Sequence, residues 1–186
     1  MRTAPIAAAS ILLAALALTA CSSDSGGDGG SGSGNDTPAS EKKDTGTACK
    51  ASALTIAFGP SSAAPAAGDE GAVPVTLTNE KGTACTLKGF AAVHLSGGGD
   101  SWGLKSQEGA QAAELTLAKG QSASFTISYV RGVAGDSAKS AELEEVVFKL
   151  PDDSETKTYK WPDAEVELKS VDRISATVGP FLPVGD

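Results

Sequence analysis

Nine consecutive residues, Ser122–Val130, read SASFTISYV, with the hydroxylated Ser122, Ser124, Thr126 and Ser128 at one parity and Ala123, Phe125, Ile127 and Tyr129 at the other. That period of two fits only a half-buried β-strand, because successive side chains of a strand point to opposite faces. The same alternation recurs in ALTIAF (53–58), AVPVTLT (72–78), AAVHLS (91–96) and AELTLA (113–118), and again in EVVFKL, TKTYKW, AEVELK and RISATV. Turn residues separate these runs at Glu80-Lys81-Gly82, Gly97-Gly98-Gly99-Asp100, Lys119-Gly120 and Pro151-Asp152-Asp153-Ser154. Short strands at this spacing predict an all-β, antiparallel immunoglobulin-like β-sandwich. A long helix fits nowhere, although DSAKSAELEE (136–145) has the composition for a turn or two of helix.

The pattern starts only near residue 49. Before it, one positive residue, Arg2, precedes the apolar run Ile6–Ala20, which is short and alanine-rich for a membrane span and has the layout of a signal peptide. Leu18-Thr19-Ala20-Cys21 is similar to a bacterial lipobox. Small residues fit a processing peptidase, and the thiol of Cys21 is the group that takes a diacylglycerol. Each buried methylene contributes about 0.8 kcal/mol, so two or three acyl chains hold a protein on a membrane where one does not. Residues 1–20 are thus expected to be a lipoprotein signal peptide, and 21–48 a lipidated, flexible Gly/Ser/Asp-rich linker too polar to fold. As a glycine-rich coil the linker spans about 28 Å. Residues 49–186 form the sandwich domain and hold every aromatic side chain.

Charge and cysteine count narrow the partners. The net charge is −8, one unit more negative once Arg2 leaves with the leader, and no Lys/Arg cluster is present. Nucleic acid and phospholipid headgroups, which need such clusters, are excluded as partners. The membrane is reached through lipid on Cys21 instead. With Cys21 acylated, Cys49 and Cys85 remain as an even pair in an exported chain, where oxidation is permitted, so a disulfide is expected. It closes a loop of about 37 residues, which the chain-entropy argument values at about 4 kcal/mol. A redox-active or metal-binding pair is the alternative, but the close C-x-x-C spacing and a neighbouring histidine are missing.

With Cys49 near the first strand, VTLTNEKGTACTLKGFAAV (75–93) and LAKGQSASF (117–125) resemble the actinobacterial secreted lipoproteins grouped as domain of unknown function four-two-three-two. Thr78, Asn79, Cys85, Thr86, Leu87, Gly89, Phe90, Val93, Leu117 and Gly120 occupy the positions that carry the resemblance. Ala91 stands where that family has proline, which loosens a turn, and the second cysteine pair of many members is missing, so the distal half relies on packing. The resemblance implies an immunoglobulin-like sandwich and export; it implies no catalytic residue, because the family has no assigned activity.

Candidate chemistry is sparse. His94 is the single histidine and lies in an alternating strand, where a structural role is the simpler reading. The S-x-x-K pattern occurs at Ser40/Lys43 and Ser154/Lys157 without the supporting motifs of serine-lysine enzymes. Methionine, histidine and cysteine are too few for copper or haem, so no metal and no cofactor is expected. Asp69, Glu70, Asp100, Asp152, Asp153 and Glu155 fall in turns, with a spacing that matches no calcium loop; they read as solvated turn carboxylates. What remains is a membrane-anchored envelope lipoprotein on the extracytoplasmic face of the cell membrane, presenting a binding or structural module for an envelope protein, a wall polymer or a small ligand. The alternative is an extracytoplasmic hydrolase with an unrecognised carboxylate site, which needs two converging acids. For the binding module, SGGGDSWG (96–103) suggests a tip formed by Asp100 and Trp102, an indole beside a glycine-rich connection. The competing reading packs Trp102 inward with Leu104.

Overall fold

The structure is a computed structural model that describes residues 47–184. The expected leader, Cys21 and nearly all of the expected linker lie outside the described residues. A single 3-10 turn at Ala51–Ala53 precedes the strands. In chain order these are β1 (Leu54–Phe58), β2 (Glu70–Asn79), β3 (Cys85–Lys88), β4 (Ala92–Gly97), β5 (Asp100–Gly103), β6 (Lys105–Ser106), β7 (Glu114–Leu117) and β8 (Ser122–Val130). There follow β9 (Ser140–Ala141), β10 (Glu145–Lys149), β11 (Thr156–Lys160), β12 (Val166–Ser170), β13 (Arg173–Ile174), β14 (Ala176–Val178) and β15 (Leu182–Pro183).

Two sheets form the sandwich. The first runs β1-β2-β8-β14-β6, with β15 also on β8; the second runs β11-β10-β4-β5. Pairing is antiparallel except between β14 and β6. Smaller ribbons, β13-β12-β9 and β3-β7, close the ends. The alternation read in the sequence becomes the division between core and surface. In β8, Ala123, Phe125, Ile127 and Tyr129 are buried while Ser122, Ser124, Thr126 and Ser128 point the other way. Across the interface Phe125 meets Phe148 of β10 edge-on at 6.0 Å and Phe181 at 5.7 Å. Phe58 of β1 meets Tyr159 of β11 at 5.1 Å, and Tyr129 meets Trp161 at 5.7 Å. Such aromatic pairs add about 0.5–1.5 kcal/mol each beyond the area they bury.

Pro74 sits inside β2, a central strand, where proline normally deletes a ladder bond. Here its nitrogen faces the β1 side one residue beyond the point where β1 ends. The Pro74 carbonyl accepts from Gly59 N–H at 2.9 Å, and a Cβ on Gly59 would lie 2.9 Å from the proline ring, so a glycine is needed there.

The turn or two of helix expected within 136–145 is absent. The segment makes tight turns, with Asp136 N–H donating to Val133 and Lys139 N–H to Asp136, and then enters β9. Ser140 is taken up elsewhere: its Oγ accepts the Val133 N–H at 2.6 Å, and Ser140 and Ala141 pair with Glu167 and Val166 as β9. Ala91, in the position of the resembled family's proline, is a core residue at 2% exposure. The expected Cys49–Cys85 disulfide is present.

Gly71 pairs with Tyr129 across β2 and β8, and a Cβ there would stand 2.4 Å from the Tyr129 ring. Gly71→Ala is expected to destabilise the domain by about 1–3 kcal/mol in urea unfolding, as overpacking does. In a Tyr129→Ala background the same change should cost much less, since the clash is gone.

Candidate functional site

The outer face of the first sheet ends in a groove of about 940 Å³, within the range of small-molecule sites. Its floor follows from register. Ala72 pairs with Ser128, Ser128 with Thr177, and Thr177 with Lys105, so these side chains line up across β2, β8, β14 and β6 on the face away from the core. One wall is the β12–β13 hairpin, which contributes Lys169, Ser170, Asp172 and Arg173; Gln107 and Glu108, just after β6, form the other. Lys105, Lys169 and Arg173 line it together with Glu70, Glu108 and Asp172, so an otherwise acidic protein offers both signs of charge here together with several hydroxyls. Such a lining presents charges of both signs and hydroxyl groups to whatever enters it.

At the edge of the groove Ser175 is buried and donates its hydroxyl to the Glu167 carboxylate; its backbone N–H also bonds to Glu167 O at 2.8 Å. The hydroxyl is thereby committed to tying β12 to the β13–β14 segment. Among the described residues no group of three or more His, Cys, Asp or Glu gathers as metal ligands would.

The residues singled out in the sequence lie elsewhere. Cys21, Ser40 and Lys43 are outside the described residues. Asp100 is exposed at the β4–β5 turn, whose Gly98 and Gly99 have φ of 61° and 91°, the hairpin geometry that favours glycine. Of the two readings of Trp102 the inward one holds and the exposed tip is not formed: Trp102 is 6% exposed. The two-residue turn sets the register, placing Trp102 opposite Leu95 on the inner face. Its Nε1 donates to the carbonyl of Val171 at 3.0 Å, at the tip of the β12–β13 hairpin. Trp102 therefore supports a wall of the groove from behind. His94 is exposed on the outer face of the second sheet, stacked over Gly103. Lys157 pairs with Glu155 at 2.6 Å rather than with Ser154. Asp69 caps a local turn through Ala66 N–H at 3.0 Å, and Glu70 borders the groove.

Asp153 is the second correction. Read as a solvated turn carboxylate, it is 7% exposed. Its Oδ2 accepts the Ala51 N–H at 2.7 Å, its Oδ1 the Glu155 N–H at 3.3 Å, and Lys50 lies 3.8 Å away. Lys50 also donates to the carbonyl of Asp152. This cluster fastens the segment carrying Cys49 to the β10–β11 turn. Burial alone would raise the Asp153 pKa, but the amides of Ala51 and Glu155 and the Lys50 charge outweigh it and hold the carboxyl below its ordinary value. No sequence motif marks the residue, since Lys50 and Ala51 lie about a hundred positions away. A further polar pair lies under the opposite end of the sandwich. The Tyr129 hydroxyl and Asp163 Oδ2 are buried near one another without a partner at bonding geometry. Burial first, then the Asp163 carboxylate, pushes the phenol up to about 12. Arg131 closes that end by donating to Ala64 O at 2.9 Å.

Fold and groove together define a β-sandwich domain with a polar, charge-mixed surface groove. The chain belongs to the family described as Domain of unknown function (DUF4232), which matches residues 49–182. No curated protein and no solved structure matches the chain.

Asp153→Ala is expected to cost about 1–3 kcal/mol, because the buried Ala51 N–H loses its acceptor. The pH dependence has a definite sign. With the folded pKa below the unfolded value of about 3.9, the carboxylate's contribution is complete above pH ~4 and is lost as pH falls through the folded pKa. Unfolding measured from pH 7 to 2 should show a shallower acid decline in Asp153→Asn than in the parent.

Proposed function

We propose that this protein is a membrane-anchored cell-envelope lipoprotein, held on the extracytoplasmic face by lipid on Cys21, whose sandwich works as a binding module with the β12–β13 groove as its ligand site. The groove carries the reading: a concavity of about 940 Å³ lined by cations from β6, β12 and β13 and by acids from β2 and the loops. A rigid floor of paired strands and a wall braced by Trp102 favour recognition of a preformed ligand. The ligand class that suits it is polar and carries hydroxyls or charges of both signs, as wall polymers and envelope proteins do. The Leu-Thr-Ala-Cys border and the polar stretch after it support the anchor.

Two measurements test the two halves. Cys21→Ala is expected to abolish incorporation of labelled fatty acid and to shift processing or release the chain; label retained on the variant overturns the anchor. For the groove, a photo-crosslinker at Gln107 in intact cells is expected to capture a partner that is lost in Lys169→Glu/Arg173→Glu. An unchanged capture pattern in a normally melting variant overturns the groove as the site.

A further inference from the structure

Six charged side chains line the groove: Lys105, Lys169, Arg173, Glu70, Glu108 and Asp172. Among the described residues none of the six enters an ion pair; the pairs that form use Lys50, Lys88, Lys139 and Lys157 instead. Charges that the fold commits to nothing are available to a ligand, and a ligand that covers them without countercharges forfeits their hydration. An uncharged sugar chain supplies no countercharge. A polyanion brings like charge to the three acids, and a polycation brings like charge to the three bases. The lining suits a ligand that carries both signs.

The strand register separates those signs across the floor. Ala72, Ser128, Thr177 and Lys105 form one row over β2, β8, β14 and β6. Glu70 is exposed and lies on the same face as Ala72, two residues along β2. Three strand spacings of about 4.8 Å and one two-residue step of about 6.7 Å put the Glu70 and Lys105 backbones about 16 Å apart. Lys169 and Arg173 flank the tip of the β12–β13 hairpin, and that tip is held on the Lys105 side. Trp102, three residues before Lys105, fastens it by donating from Nε1 to the Val171 carbonyl at 3.0 Å. The β2 side therefore contributes one carboxylate and no cation, whereas the β6 and hairpin side contributes three cations with Glu108 and Asp172.

Taking the groove as the ligand site, on which this step rests, we propose that its ligand is a short extended peptide whose free ammonium group binds at Glu70 and whose free carboxylate binds among Lys105, Lys169 and Arg173. An extended chain covers 3.3–3.6 Å per residue, so four or five residues span about 16 Å. The Ser128 and Thr177 hydroxyls lie in the row between the two ends, where the amides and carbonyls of such a peptide cross the floor. Arg173 supplies the planar fork that matches a carboxylate. The peptide has one direction, because its reverse would put carboxylate on Glu70.

Tetra-alanine, whose only charges are its termini, is the probe. The chain from residue 21 carrying Cys21→Ser, so that no acyl group contributes, is titrated at low salt and followed by amide chemical shifts. Tetra-alanine is expected to shift Ser128 and Thr177 saturably, and N-acetylation or C-amidation of the probe is each expected to weaken binding about tenfold or more. Dialanine, about 7 Å long, should bind no better than the capped tetrapeptides. Glu70→Gln should erase the effect of acetylation and keep that of amidation; Lys105→Gln/Arg173→Gln should do the converse. All three substitutions fall at exposed positions, and thermal melting checks the fold. Absent shifts, capping effects that persist unchanged in the variants, or tighter binding of hexaglutamate at the same residues each overturns the peptide assignment. The cellular capture at Gln107 keeps the two failures apart: if it still depends on Lys169 and Arg173, the groove remains a ligand site and only the peptide is rejected, whereas loss of that dependence removes both.

Discussion

The pairing of β2 with β8 is the constraint on which the rest of the molecule depends. It runs unbroken from Glu70 opposite Val130 to Thr78 opposite Ser122. It sends Val73, Val75 and Leu77 to the core with Phe125, Ile127 and Tyr129, and sends Ala72, Pro74, Thr76 and Thr78 outward with Ser122, Ser124, Thr126 and Ser128. Because the side-chain period is two, a slip of one residue would exchange these sets and put hydroxyls in the core. Ala72 and Ser128 of the outward set lie in the groove floor, so the packing that fixes the register also fixes the site. Pro74 is compatible with this central position because β1 stops one residue short of it.

A second group of contacts fixes the corner where β2 leaves the sheet. Asn79 is 1% exposed; its Nδ2 donates to Thr83 O at 2.8 Å and Leu117 O at 2.9 Å, while its carbonyl accepts the Gly120 N–H at 2.7 Å. Thr78 and Ser122 share a hydroxyl bond of 2.8 Å, and Cys85 is tied to Cys49. Gly89 and Gly120, with φ of 89° and 81°, turn the chain where a Cβ would be strained. These are the residues that carry the family resemblance. They hold β2, β3, β7 and β8 together, which is why the motif announces a fold and names no ligand. Asp153 does for the far end of the same N-terminal segment what Cys49 does for its near end.

The groove has the opposite character. Its lining comes from the neighbourhoods of residues 70, 107, 128, 170 and 176, brought together by strand pairing and by one hairpin. No stretch of the sequence carries more than a few of these positions, and Ser128 or Thr177 in isolation is an ordinary outward strand residue. Trp102 shows what local context leaves open. A glycine-rich turn beside an indole allows an exposed tip or an inward residue; the two-residue turn leaves Trp102 opposite Leu95, and its one polar atom finds the Val171 carbonyl 69 residues along the chain.

The sequence by itself determined the strands, because alternation with a period of two is a local property that hydrophobic burial converts directly into inside and outside. It also determined that Cys49 and Cys85 are available to each other. The short β3 and β9 were not legible, since four and two residues carry too little periodicity to register. Tertiary structure alone decided which turn carboxylate is buried and where the groove lies. Each of those depends on atoms distant in sequence being brought within a few ångströms, and such distances follow from the register and order of strands rather than from the identity of any residue read alone.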